Sequence, residues 1–167
     1  ELIGVLDTPI ERITRGGVKT TEREFDFDII LYATGFDAIT GAFDRIDFRG
    51  SGGVALRDKW SGGPETFVGM MVEDFPNMFM LCGPHTALGN IPRSIEYAVD
   101  WVTDAIRFMN ENGSTYAEPT RAAGEDWTDF VIEGNKGLVS SEGESWMTGV
   151  NRNVEGKQIR IVARYSG

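Results

Sequence analysis

Two glycine turns hold the residues best suited to bind a ligand. The first is Ala33-Thr34-Gly35 and the second begins at Cys82-Gly83-Pro84, and each directly follows a short apolar run. A glycine in this position lets the backbone approach a flat or charged ligand without interference from a Cβ atom. The same pattern is equally typical of an ordinary turn at the end of a strand, and spacing alone leaves the two interpretations level.

The second turn leads through Thr86, Asn90 and Ile91 into a predicted helix. Backbone N–H groups at the start of a helix can hold electronegative atoms of a ligand, such as carbonyl or phosphate oxygens. His85, the only histidine, lies in this turn and is either an ordinary loop residue or a candidate general base. We expect Cys82 to pack within the apolar run as a small hydrophobic residue.

Composition and charge exclude several classes of partner. The chain has 167 residues and a formal net charge of −10, so it lacks the basic face that nucleic acids or anionic membranes require. Its apolar runs, such as Met78–Cys82, are far shorter than the roughly 20 residues of a membrane-spanning helix. A single cysteine and a single histidine exclude an internal disulfide and a metal site built from several such ligands. We predict no metal, no nucleic-acid partner and no membrane partner.

The elements that must position these turns are mainly strands in the first half of the chain. A Gly-Gly turn between two alternating segments predicts a hairpin over 9–14 and 18–21. Two continuous apolar runs, 29–33 and 78–82, predict strands that are buried on both faces. The segment between them is rich in glycine and predicts loops, and a last strand is predicted over 159–165.

Helices are predicted in the second half. Apolar residues recur at steps of three and four from about Pro92 to Asn112, and Gly113 follows as a stop signal. A weaker helix is predicted over 122–133. Buried strands ending in glycine turns, a hairpin and one long helix together predict an α/β or α+β fold.

Both ends of the chain have the pattern of strands. It begins at Glu1 without a methionine, directly on an apolar stretch, and stops after an alternating one. Because domain ends are more often polar and weakly ordered, we expect a fragment truncated at both ends. The start has no basic segment followed by an apolar one, which predicts a cytoplasmic protein.

Several of these segments resemble a known family. The stretch 28–37 resembles the A-T-G motif of flavoprotein monooxygenases with two dinucleotide-binding domains. The segments that are similar to Baeyer–Villiger monooxygenases in particular are 37–50, 75–79, 83–84, 94–96, 101–102 and 145–149. The resemblance covers the chain from about Pro9 to its end.

The resemblance implies an α/β architecture in which an NADPH domain interrupts an FAD domain. Residues 1–27 would be the end of the NADP-domain region with a return hairpin. Residues 28–167 would be the C-terminal part of the FAD domain, including a mobile loop around 145–157. In this family FAD, NADPH and O₂ are used to insert one oxygen atom next to the carbonyl of a small-molecule ketone, which gives an ester or lactone.

The resemblance also implies roles for particular residues. Thr34 and Gly35 would lie near the flavin, where the chain returns to the FAD domain. Trp146 would lie in the loop that folds over NADP, with its indole N–H available as a donor. The residues implied to line the flavin ring are Gly83, Pro84, Thr86, Asn90 and Ile91.

The family's best-known catalytic groups are expected upstream of Glu1. These are the glycine-rich FAD motif, a fingerprint that contains histidine, and the active-site arginine; Arg93 at the helix start does not take that role. We therefore expect the isolated chain to be inactive. Two alternatives remain open, namely another flavin monooxygenase that oxygenates nitrogen or sulfur, and a non-catalytic α/β interaction module.

Overall fold

A computed structural model describes residues 1–35, 37–139, 148 and 164–165. It divides the chain into two compact units, Glu1–Thr34 and Gly35–Gly167. Within the described residues, no helix combines the length and the apolar character that crossing a membrane requires.

The first unit is a three-stranded antiparallel sheet in the order β1-β2-β3. Its strands are β1 (Ile10–Ile13), β2 (Gly17–Thr20) and β3 (Glu24–Asp26). The predicted hairpin is confirmed, but Gly17 belongs to β2 rather than to the turn. A Cβ atom on Gly17 would lie 1.8 Å from the carbonyl oxygen of Phe25, so the pairing of β2 with β3 requires glycine here.

The buried strand predicted over 29–33 is not formed. These residues belong to no strand, and Ile29, Leu31 and Tyr32 are 76%, 86% and 70% exposed. A central strand needs neighbouring strands for its N–H and C=O groups, and none of the described strands pairs with this segment. The apolar run therefore belongs to none of the described strands, and three of its large side chains are in solvent.

The second unit has its core in the glycine-rich segment that the sequence predicted as loops. Two short helices form there, α1 (Thr40–Asp44) and α2 (Leu56–Lys59). Glycines at 52 and 53 have positive φ in a tight turn after Arg49, which fits the loop prediction locally. The buried residues of the main cluster are Leu56, Trp60, Val72, Phe75 and Met80.

The second predicted buried strand, 78–82, is also absent. Met80 is buried and its N–H donates to the carbonyl oxygen of Met70 at 2.8 Å, but Leu81 is 43% exposed. Cys82 is exposed too, so the prediction that it packs as a small hydrophobic residue is wrong. Backbone hydrogen bonds from Met78 to Phe75 and from Met80 to Met70, together with the buried side chain of Met80, anchor this segment to the core without making it a strand.

The long helix is confirmed as α3 (Ile91–Glu111). The side chain of Asn90 caps its start, and its end closes with hydrogen bonds from Gly113 to Asn110 and from Ser114 to Met109. This is the usual glycine-terminated ending, and Gly113 has the positive φ of 65° that it requires. Ala98 is the only described residue of α3 in the buried class, and its other apolar residues are half-buried or exposed.

The weaker helix is confirmed as α4 (Arg121–Asn135), which begins at the capping residue Thr120. Val131 is its fully buried apolar residue, whereas the neighbouring Phe130 is 53% exposed. A short strand β4 (Ala87–Leu88) precedes α3 and pairs in parallel with β5 (Arg164–Tyr165). The last strand is thereby confirmed for 164–165, and the rest of the predicted range lies outside the described residues.

Candidate functional site

The segment 83–91 joins the second glycine turn to the start of α3. The turn is closed by the hydroxyl of Thr86, which donates to the carbonyl oxygen of Gly83 at 2.7 Å. Gly83, Pro84 and His85 are buried, Thr86 and Ile91 are half-buried, and Asn90 is exposed. The surface that this segment offers to a ligand therefore comes from Thr86 and the helix start rather than from Gly83 and Pro84.

Gly83 is needed for a close contact inside the protein. A Cβ atom at this position would lie 2.5 Å from the carbonyl oxygen of Gly69. A Cβ atom on Gly69 would in turn lie 2.5 Å from Cγ2 of Thr86 and 2.8 Å from its backbone nitrogen. The clearance that the sequence suggested for a ligand at Gly83 is thus filled by another part of the backbone, and sequence reasoning missed Gly69.

His85 is enclosed behind the turn. It is 1% exposed, has a positive φ of 66°, and its Nδ1 lies 3.2 Å from Oγ1 of Thr66. The Thr66 hydroxyl donates to the carbonyl oxygen of Pro84 at 3.3 Å. A hydroxyl has one hydrogen to donate, so Nδ1 of His85 must supply the hydrogen of the other contact. An enclosed imidazole with this partner is typical of a structural residue rather than a general base.

The start of α3 keeps one backbone donor available. Pro92 has no N–H, and the N–H of Arg93 donates to Oδ1 of Asn90 at 3.2 Å. Among the first three residues of the helix, Ile91 therefore carries the N–H that can face a ligand, and the helix dipole favours an electronegative atom there. The guanidinium of Arg93 is held on the side chain of Tyr97, with Nη2 3.2 Å from the phenolic oxygen.

The remaining predicted site residues lie outside the segment 83–91. Thr34 ends the first unit and is exposed. Gly35 begins the second unit and has a positive φ of 81°, and among the described residues, its chain neighbours aside, no atom would lie within 4 Å of an added Cβ. Open space beside a residue with positive φ is compatible with a ligand at Gly35. Trp146 lies outside the described residues.

A group of charged side chains joins α2 to the start of α4. Nζ of Lys59 lies 3.0 Å from Oε2 of Glu73 and 2.9 Å from Oδ2 of Asp74, and Nε of Arg121 lies 3.1 Å from Oε1 of Glu73. The hydrogen bond from Lys59 lowers the pKa of Glu73, and the one from Arg121 lowers it further. Burial opposes the charged form of Lys59, but the bonds to Asp74 and Glu73 outweigh it and raise the pKa of Lys59.

These charged residues are paired with each other and do not resemble a metal site. Across the part of the chain that the structure describes, no three His, Cys, Asp or Glu side chains are grouped where they could hold a metal ion. The group therefore acts as a structural link within the second unit.

Comparison with known proteins identifies relatives that cover almost the whole chain. No protein-family model matches it. A 2-oxo-Δ3-4,5,5-trimethylcyclopentenylacetyl-CoA monooxygenase of Pseudomonas putida is 38% identical over 161 residues, which are 95% of this chain and 30% of the relative. A Baeyer–Villiger monooxygenase of Pseudooceanicola batsensis is 38% identical over 167 residues, which are 99% of this chain and 30% of the relative.

A solved structure extends the likeness to the fold. The crystal structure of OTEMO in complex with FAD and NADP matches with a TM-score of 0.87 and 37% identity, over 99% of this chain and 30% of that one. The predicted α/β fold class is confirmed by this match. The chain spans about 30% of the length of the curated relatives it matches.

Proposed function

We propose that this chain, which belongs to the Baeyer–Villiger monooxygenase family, is part of an enzyme that converts a ketone to an ester or lactone. The enzyme would use FAD, NADPH and O₂ and insert one oxygen atom next to the carbonyl. The observation that carries the proposal is the alignment of nearly every residue of the chain with enzymes of this family. The redox chemistry belongs to the flavin, and the contribution of this chain is to bind it, orient it and shield it from water.

The helix start fits a flavin better than any other described part of the segment. Ile91 offers a backbone N–H at the positive end of α3, which suits a carbonyl oxygen of the isoalloxazine ring. Asn90 is exposed next to it, and Thr86, which directly precedes β4, is half-buried. We assign direct contact with the flavin to Thr86, Asn90 and Ile91.

Gly83 and Pro84 are assigned a supporting role instead. Both are buried against the protein, so they would shape the turn that carries Thr86 rather than touch the ring. Thr34 and Gly35 are assigned to the flavin on the strength of the A-T-G motif, and the open space beside Gly35 supports a close approach there. The role of Trp146 towards NADP stays a prediction.

The division of the chain into domains is part of the same proposal. We assign 1–27 to the end of the NADP-domain region and 28–167 to the C-terminal part of the FAD domain. The compact units divide after Thr34, so the segment 28–34 lies in the first unit in this structure. An exposed apolar run in that segment is what a strand of a larger parallel sheet presents when its neighbours are not among the described residues.

The test is made on the complete protein encoded by the gene that contains this chain. We expect it to purify with bound FAD, to consume NADPH when a ketone is added, and to release an ester that carries one atom of isotope-labelled O₂. Formation of an N-oxide or S-oxide without any ester would favour the nitrogen- and sulfur-oxygenating alternative. A complete protein that binds no FAD would contradict the proposal and favour a non-catalytic module.

A further inference from the structure

A buried polar pair lies behind the turn 83–86 and is not used by the proposed chemistry. Both His85 and Thr66 are 1% exposed, and they meet through Nδ1 and Oγ1 at 3.2 Å. The same hydroxyl donates to the carbonyl oxygen of Pro84 at 3.3 Å. One threonine therefore holds both the side chain and the backbone of the turn.

Such an arrangement is unfavourable unless the polar groups satisfy each other. Burying a hydroxyl and an imidazole is costly without hydrogen bonds between them. In addition, His85 has a left-handed backbone with φ of 66°, which most side chains disfavour. The hydrogen bonds of Thr66 with His85 and with Pro84 contribute to offsetting these costs and to keeping residue 85 in this conformation.

The contacts of Thr86 link the position of His85 to the residues that we assign to the flavin. Thr86 is the next residue, and its hydroxyl and backbone N–H both point to the carbonyl oxygen of Gly83. On the other side Thr86 packs against Gly69, which belongs to the tight turn between Phe67 and Met71. The turn 83–86 is thus fixed from two sides, by Thr66 and by Gly69.

We propose that His85 is a positioning residue that, through Thr66, holds the turn 83–86 so that Thr86 and the start of α3 meet the flavin. This inference rests on the proposed function, because it needs a flavin to be positioned. The imidazole touches neither the cofactor nor the substrate. Its effect is to fix the backbone on which Thr86, Asn90 and Ile91 are carried.

The experiment compares variants of the complete, FAD-binding protein. Thr66→Val keeps the shape of the side chain but removes the hydroxyl, and His85→Ala removes the imidazole. Each is expected to weaken FAD affinity about tenfold, because each removes the buried hydrogen bond between Nδ1 of His85 and Oγ1 of Thr66 that holds the turn. The double variant is expected to be no weaker than the worse single variant, since both changes break the same link.

His85→Asn provides the conservative rescue. Asparagine tolerates a left-handed backbone, and its amide NH₂ can take the place of Nδ1 opposite Thr66. We expect it to recover most of the lost FAD affinity and the shape of the flavin absorption band, which reports the environment of the ring. If His85→Ala does not fold, the FAD affinities of Thr66→Val and of its combination with His85→Asn show whether residue 85 acts through Thr66.

Val131→Ala is the matched control, because Val131 is fully buried in α4 and takes no part in the hydrogen bonds between Thr66 and the turn. It is expected to lower thermal stability as much as the turn variants but to leave FAD affinity and the absorption band unchanged. Turn variants that behave like this control, in a wild-type protein that binds FAD, would refute the positioning role and leave the proposed function intact. A wild-type protein without FAD would overturn both.

Discussion

The two glycine turns follow apolar runs of similar composition but have opposite surroundings. Before Gly35, the side chains of Leu31 and Tyr32 are exposed to solvent, and an added Cβ at Gly35 would touch nothing. Before Gly83, Met80 is buried, and an added Cβ at Gly83 would collide with the backbone of Gly69. The first run is in the unit Glu1–Thr34 and the second in the unit Gly35–Gly167.

An apolar run followed by glycine therefore encodes burial without encoding the atoms that provide it. The pattern indicates that the segment is buried in the folded protein, but it does not say which atoms cover it. Residues of the second unit cover Met80 in the run before Gly83, whereas the described strands leave the run before Gly35 uncovered. On the domain assignment proposed above, we attribute the missing cover to other parts of the FAD domain.

The strongest destabilisation is expected at the core residue of the second run. Met80→Ala should lower the free energy of unfolding by about 3 kcal/mol, because it removes a buried side chain from the main cluster. Leu31→Ala, the matched change in the first run, should alter it by less than about 0.5 kcal/mol. Urea unfolding of the 167-residue chain, followed by circular dichroism, measures both.

Leu31→Ala also tests whether other parts of the FAD domain cover the run before Gly35. In the complete protein, Leu31→Ala should become as destabilising as a core substitution, since the run would then be a central strand. Equal effects of Leu31→Ala in the chain and in the complete protein would contradict the assignment of 28–34 to the FAD domain.

The next effect concerns the glycines themselves. Gly83→Ala should cost about 2 kcal/mol, because its Cβ must displace the backbone of Gly69. Gly35→Ala should cost only about 1 kcal/mol, because the penalty there is the left-handed backbone and not a collision. Tryptophan fluorescence during urea unfolding reports on both, since all four tryptophans lie in the second unit.

If Gly35→Ala cost more than Gly83→Ala, the close contact with Gly69 would not be what requires glycine at position 83. A d-alanine at position 35, introduced by chemical ligation, gives a further control. It can adopt the positive φ without strain and should restore the stability of the parent chain.

Features with local signals were predicted well from the sequence. The helix α3 was predicted because Pro92 and Gly113 mark its ends and apolar residues recur between them. The hairpin was predicted because its turn and both strands lie within a dozen residues. The runs 29–33 and 78–82 were predicted as strands wrongly, because strand formation depends on neighbours that a local pattern does not contain.

The candidate site was predictable only in part, for the same reason. The segment 83–91 stands out through its glycine, proline and helix start. The contacts that shape it join Thr66 to His85 and Gly69 to Gly83, and neither pair has a recognisable spacing. Nothing in the sequence distinguishes Gly69 from the other glycines of the loop-rich segment, so its role could be found only in the folded chain.

Ion pairs are expected to contribute least to stability, and their contributions differ between the two units. Glu73 is 22% exposed and accepts hydrogen bonds from Lys59 and Arg121, which lower its pKa below the ordinary value of 4.5. A lowered pKa means that the charged carboxylate stabilises the fold above the ordinary value and that this contribution disappears as the pH falls through the folded-state pKa. We therefore expect wild type to exceed Glu73→Gln in stability at neutral pH, with the gap closing in acid.

In the first unit, Glu11 forms an exposed pair with Lys19 at 3.1 Å, and Glu11→Gln provides the matched control. Solvent screens such a pair, so this change should leave stability almost the same at every pH. Thermal unfolding of the three proteins between neutral pH and pH values below the ordinary pKa of glutamate measures both gaps. A gap for Glu73→Gln that did not depend on pH would mean that its carboxylate acts through packing and not through charge. The ion pairs of Glu73 with Lys59 and Arg121 would then contribute no more charge-dependent stability than the exposed pair of Glu11 and Lys19.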